Sequence, residues 1–441
     1  MRRACKIAEF FTLAIFLAFA TLPALAYEPV TIAQLEQMLA VAHGKSDKAL
    51  AKELGELELT ERLSTLRLDK LRAGMPGEKS RLALLVLSDT SAFHDLPAAE
   101  ISQLAPPDGD TQSQILAKTA DYARVTLHQL IDIVVSRDTN HFDNLKVVSF
   151  SRAVPAATAN AKKMSEAELD AARFPPVASA VVENQPYRLI GKNSETITYR
   201  SGEENVVSRS GKAVVAPPEN APKRPPSSGV SNWGVFGPLP EIVANDISAG
   251  KVDWDHWEQT GKSTLAVFRY SVPEDLSNYN LEYCCFTSGK EPSGEGGKEN
   301  WNVYETLPSY HGEITIDPKT GGIRRLTIQT DISANQPIYR ADIMVEYGPV
   351  ELGGTEHLLP ARSVTIFQAS IPIVMQEGNC VDLHCTPRAY VHPKDTVVSD
   401  TVYGSYRVFS SDSRILPADA SGSRGGSPSS SQPQNATGRK H

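Results

Sequence analysis

Two short stretches combine side chains that can move protons or hold a cation. Val252 to Gln259 reads VDWDHWEQ and interleaves Asp253, Asp255, His256 and Glu258 with Trp254 and Trp257. Carboxylates and an imidazole set between indoles could coordinate a metal or flank a sugar ring. Tyr310 to Thr330 reads YHGEITIDPKTGGIRRLTIQT. There His311 and Glu313 lie two apart, on the same side of a strand, where an acid–base pair is geometrically allowed. Each stretch also has a plainer reading. Trp254 and Trp257, one helical turn apart, would anchor a short helix and leave the charges in water. In the second stretch, Asp317-Pro318-Lys319-Thr320-Gly321 has the chemistry of a hairpin turn, with Asp317 capping its own turn and Gly321 free to take positive φ. Glu313 then faces Arg324 or Arg325 across the hairpin. The plainer reading is the expected one at both places. No catalytic residue, metal site or cofactor is assigned.

The third chemical set is the cysteines. Four follow the leader described below: Cys284, Cys285, Cys380 and Cys385. A bridge between the adjacent Cys284 and Cys285 would strain the peptide joining them. That leaves two long-range bridges from this pair to the CVDLHC loop, or one local Cys380–Cys385 bridge with a free pair; the cross-linked arrangement is expected. Zinc on the four thiolates, with His384 nearby, is the rival, but adjacent cysteines lack the usual ligand spacing.

The preference for disulfides rests on compartment. The chain opens MRRACKIAEF, continues through the apolar FTLAIFLAFA and reaches Ala24-Leu25-Ala26, the pattern of a secretory signal peptide cleaved near Ala26. A secreted or periplasmic protein is expected, with no second apolar run long enough to span a membrane. Formal net charge is −8, and the leader is itself basic. An acidic chain with scattered charge is not built to neutralise phosphates, which excludes nucleic acid as an expected partner.

These side chains must be positioned by two kinds of element. Residues 27–132 read as a small helical domain. It begins with TIAQLEQMLAVAH, where Thr31 and Gln34 form a capping box, continues through SDKALAKELGELEL, TERLSTLRLDKLRAG and EKSRLALLVLSDTSAF, and ends in a helix from Asp110. Residues 133–416 read as a curved, mainly antiparallel, half-barrel-like sheet of roughly eight to ten strands, giving an α+β fold. Ile343, Val345 and Tyr347 alternate with Asp342, Met344 and Glu346, so one face is expected to be buried and the other wet or half-exposed. Pro-rich insertions near 153–178 and 211–229 interrupt this domain, and residues 417–441 form a low-complexity tail expected to be disordered.

The segments SNWGVFGP, WDHWEQTGKSTLAVFRYSVP, ADIMVEYGPVELGG and YRVFSSDSRIL, with YHGEITIDPKTGGIRRLTIQ, resemble an uncharacterised family of secreted bacterial proteins. The C-terminal half more distantly resembles the outer-membrane lipoprotein carrier and sensor fold. That resemblance implies a curved sheet wrapped around helices and enclosing an apolar cavity. The expected function is therefore a non-catalytic secreted or periplasmic binding protein for a lipid, lipoprotein or other amphiphile. The alternatives are a secreted hydrolase using His256 or His311 with nearby carboxylates, and an envelope assembly protein.

Overall fold

A computed structural model describes residues 28–42, 44–127, 130–144, 147–152, 177–183, 185–214, 234–261, 263–286, 302–333, 336–370, 373–376, 380–381, 384–385, 389–391 and 394–409. The expected signal peptide, most of the two Pro-rich insertions and the C-terminal tail lie outside the described residues.

The first helices form where their caps are written. Helix α1 (Ile32–Val41) starts at Thr31, whose hydroxyl accepts from the Gln34 N–H at 3.3 Å while the Gln34 side chain accepts from the Thr31 N–H at 2.7 Å, the expected capping box. Helix α2 (Asp47–Leu54) is capped by Ser46. Helices α3 (Thr65–Ala73) and α4 (Glu78–Thr90) follow, and α5 (Gly109–Asp121) is capped by Asp108. One departure concerns Leu57–Leu59, read as the end of a helix. It is instead a short strand paired in parallel with Glu28–Val30. Leu57 and Leu59 are buried and Glu58 is exposed, a period of two that a helix cannot supply.

The sheet has eleven strands and is not closed. In chain order these are β1 (Ile133–Asp143), β2 (Arg188–Arg200), β3 (Glu203–Arg209), β4 (Lys212–Ala213), β5 (Lys251–Thr260), β6 (Ser263–Val272), β7 (Ser309–Ile316), β8 (Ile323–Asp331), β9 (Ile338–Leu352), β10 (Thr355–Ser370) and β11 (Lys394–Val408). Every pairing is antiparallel, and the spatial order is β4-β3-β2-β1-β11-β10-β9-β8-β7-β6-β5. The chain thus enters at the middle, meanders to one edge, crosses to the far edge through helix α6 (Pro238–Ala249), and meanders back until β11 lies beside β1.

Both faces are covered. On the back face α6, Ile115 of α5 and a set of tyrosines fill the curve of the sheet: Val243, Ile247, Phe236, Tyr199, Tyr310, Tyr347 and Tyr403 share one core with Ile343 and Val345. Two of the tyrosine hydroxyls tie the layers together. Tyr310 donates to Asp246 of α6 at 2.8 Å, and Tyr347 donates to the Val235 carbonyl at 2.9 Å. On the front face α1, α2, α3 and α4 pack against Phe142, Met344, Val364, Ile366 and Val398. Asp342 and Met344 are accordingly buried at 3% and 2% exposure, against the expectation of a wet second face. The alternation marked two faces correctly, but the face that looked polar is roofed by the N-terminal helices.

Candidate functional site

The front face changes character along the sheet. Towards β1 and β11 its contact with the helices is apolar, whereas towards β5 it becomes a field of charge. The side chains there come from five adjacent strands: Glu258 (β5), Arg269 (β6), Glu313 (β7), Arg325 (β8) and Glu346 (β9), followed by Arg362 on β10. Arg325, Glu346 and Arg362 are direct cross-strand partners in register, so one row of alternating charge crosses three strands.

Residues of the N-terminal front complete the field. Arg62, in the connection before α3, places one guanidinium nitrogen 2.7 Å from Glu258 and another 3.6 Å from Glu313, while Arg325 reaches the same Glu313 oxygen at 3.1 Å. Thr65 donates to the Glu346 carboxylate at 2.8 Å. Arg362 bonds Asp400 at 2.7 Å and also pairs with Asp89 of α4. Burial and the neighbouring Asp400 push Asp89 above the usual carboxylate range. Glu258 goes the other way, because Arg62 and Arg325 outweigh its burial and hold it below that range. Burial and the adjacent Arg62 pull Arg325 down to about 10, which still leaves it charged at neutral pH.

The sequence-predicted residues divide between this field and the rim. Asp255, His256, Glu258 and Glu313 come together, joined by Arg269, which lies 3.1 Å from Asp255 and 3.4 Å from Glu313. Asp253 and His311 do not join them. Asp253 pairs with Lys251 at 2.7 Å on an exposed edge, and His311, 47% exposed, stands 3.4 Å from Asp331.

The Trp254–Trp257 pair corrects the short-helix reading. Both lie on strand β5, where Phe268 is opposite Trp254 and Val267 is opposite His256, so Asp255 is the extra residue of a β-bulge. The bulge lets residues three apart share the back face, where the indoles meet edge-on at 4.8 Å and Trp254 meets Phe268 at 5.3 Å. It also turns the neighbours Asp255 and His256 to the front together, with the carboxylate 2.8 Å from His256 Nδ1. Apart from Asp253, the charges are not left in water: the His256 side chain is 11% exposed, and its Nε2 is buried with no hydrogen-bond partner among the described residues. Residues Ile101 to Ala105 run along this edge strand. Ser102 donates its N–H to the Trp257 carbonyl and the Trp257 indole donates to the Ala105 carbonyl.

The hairpin at Asp317 is as expected. The Lys319 N–H donates to the Asp317 side chain at 2.9 Å, Gly321 has φ of 74°, and Arg325, not Arg324, is the partner of Glu313. Cysteine pairing is a different matter. Cys380 and Cys385 are register partners in two short antiparallel strands, and Cys284 and Cys285 lie on Leu281–Phe286, paired with Asn302–Thr306. The four side chains lie outside what is described.

Two cavities open in the seam between the front helices and the sheet. One, of about 190 Å³, has a mixed lining, with Leu54, Leu57, Val86, Leu87, Phe93 and Ile366 beside Glu58, Thr90, His94, Gln329 and Arg340. The other, of about 520 Å³, is lined by Arg62, Arg67, Lys70, Arg325 and Arg362, by Glu100, Glu258 and Glu346, and by Ser64 and Thr65. Helix α4 borders both, offering Val86, Leu87 and Thr90 to the first and Ser88 to the second. Arg62, Thr65, Glu346 and Arg362 were not legible as site residues, since each is a lone polar side chain in an ordinary segment and only the packing of front on sheet assembles them. Among the described residues no group of three or more His, Cys, Asp or Glu is arranged to hold a metal, and no helix is long and apolar enough to cross a membrane. Compared with known proteins, the chain matches no family model, no curated protein and no solved structure.

Proposed function

We propose that the chain is a non-catalytic binding protein, exported behind its basic and apolar leader, that takes an amphiphile in the seam between the front helices and the sheet. The observation that carries this reading is the pair of cavities flanking α4, one with Leu54, Leu57, Val86, Leu87, Phe93 and Ile366 in its lining and the other ringed by charge. An amphiphile needs both surroundings, and cavities at the junction of two packed layers are common ligand sites. The back face does not compete for this role, because α6 and the tyrosines occupy it. The hydrolase alternative would need a nucleophile on His256 Nε2, and among the described residues no side chain bonds that nitrogen.

Native mass spectrometry of the protein purified from its own cell envelope tests the reading. The expected result is a chain beginning at Tyr27 that retains a co-purifying amphiphile, released by Leu87→Arg in the smaller cavity. A preparation that carries no small molecule and fails to take up a fluorescent fatty acid would overturn it.

A further inference from the structure

The lining of the charged cavity holds more cations than carboxylates: Arg62, Arg67, Lys70, Arg324, Arg325 and Arg362 against Glu100, Glu258 and Glu346. Arg62, Arg325 and Arg362 are each less than a tenth exposed by residue or at that limit, at 5%, 6% and 9%. A guanidinium has five N–H donors. Arg62 donates to Glu258; Arg325 donates to Glu313 and to the Ala92 carbonyl; Arg362 donates to Asp400 and Asp89. Most of their donors are therefore not taken by these bonds. None of the three has a nitrogen that is both sealed from solvent and without a partner, and all three line the cavity. Arg62 and Arg325 meet at one Glu313 oxygen, and Arg362 stands two strands from Arg325 across Glu346. Glu346, the carboxylate between them, takes its hydrogen bonds from Thr65.

We infer that this cavity binds a phosphoryl group, with Arg62, Arg325 and Arg362 as its ligands and Lys70 at its mouth. A single carboxylate offers two oxygens, fewer than three guanidinium edges can engage. A phosphoryl group offers three terminal oxygens and a charge approaching two, which suits several guanidinium forks bordering one cavity. The volume of about 520 Å³ leaves room for the molecule that bears the group. The inference deepens the amphiphile reading by giving the head group its chemistry, and the two can fail separately.

Isothermal titration of the full chain at low salt tests it, with inorganic phosphate, glycerol 3-phosphate and dihexanoyl phosphatidic acid as probes and sodium acetate as the control. Saturable binding of phosphate and glycerol 3-phosphate is expected, with acetate at least tenfold weaker. Tighter binding of the short-chain lipid than of glycerol 3-phosphate would mark a lipid head group as the source, and equal binding would mark a free phosphate ester. Arg325→Gln should weaken binding at least tenfold. Because that residue is buried and its loss could unfold the chain, the exposed Lys70→Glu is the second variant, expected to weaken binding several-fold with an unchanged melting curve. Absence of phosphate binding, or binding unaffected by Lys70→Glu and by a folded Arg325→Gln, overturns the site. If phosphate binds and no amphiphile co-purifies, the amphiphile reading fails and the phosphoryl site stands; a retained neutral amphiphile without phosphate binding gives the converse.

Discussion

At Gly321 backbone conformation and packing make the same demand. Its φ of 74° lies where a β-branched side chain is strongly disfavoured, and a Cβ there would overlap the Lys118 carbonyl of α5. Gly321→Val should therefore lower stability by about 3 kcal/mol or more, since the hairpin cannot relax without displacing α5. His311→Ala, on an exposed side chain whose nearest acid is 3.4 Å away, should leave both the melting curve and ligand retention nearly unchanged. Thermal unfolding of the two variants checks the pair. Loss of function in His311→Ala with the parent's melting curve would restore His311 to the site.

At the scale of elements, the crossing from β4 to β5 must be pinned to the back of the sheet. Part of the pin is Glu204 on β3, which accepts the Gly234 N–H at 2.9 Å at the start of the turn leading into α6. Its burial pushes it up to about 7, offset in part by Arg137 and by the backbone N–H groups of Gly234, Phe236 and Val235. A carboxyl that binds its proton more tightly in the folded chain than in the unfolded one adds stability at low pH. That contribution is full below the unfolded value of 4.5 and is lost as pH rises through about 7. It amounts to about 3 kcal/mol at most. Urea unfolding at several pH values should show wild-type stability falling relative to Glu204→Gln as pH rises from about 5 to about 8. Parallel pH profiles for the two proteins would show that Glu204 titrates normally.

For the whole molecule, the N-terminal helices and the sheet share one core. Leu84 of α4, fully buried, and Ile366 of β10, at 1% exposure, belong to the same cluster. Leu84→Ala should cost about 3 kcal/mol and lower one cooperative transition reported alike by helix and sheet signals. A helical signal that melts early while the sheet holds would show the front to be an independent unit. Such independence would also remove the roof from both seam cavities, so this measurement bears on the proposed function as well as on the fold.

The sequence by itself determined what depends on neighbours along the chain. Thr31 and Gln34 cap α1, Asp317 to Gly321 turn the hairpin, and the alternation at Ile343, Val345 and Tyr347 marks the back face of β9. These interactions close over a few residues, so local residue types decide them. The α+β class and the curved antiparallel sheet followed from the same signals. Only the tertiary structure decided that Met344 and Asp342 are roofed, that a bulge places Trp254 and Trp257 back to back with the Asp255–His256 pair, and that Arg62 reaches Glu258 across 196 positions. A buried arginine and a solvated one are the same letter. Which one it becomes is set by the element that packs over it, and for Arg325 and Arg362 that element is the helical front, more than two hundred residues earlier in the chain.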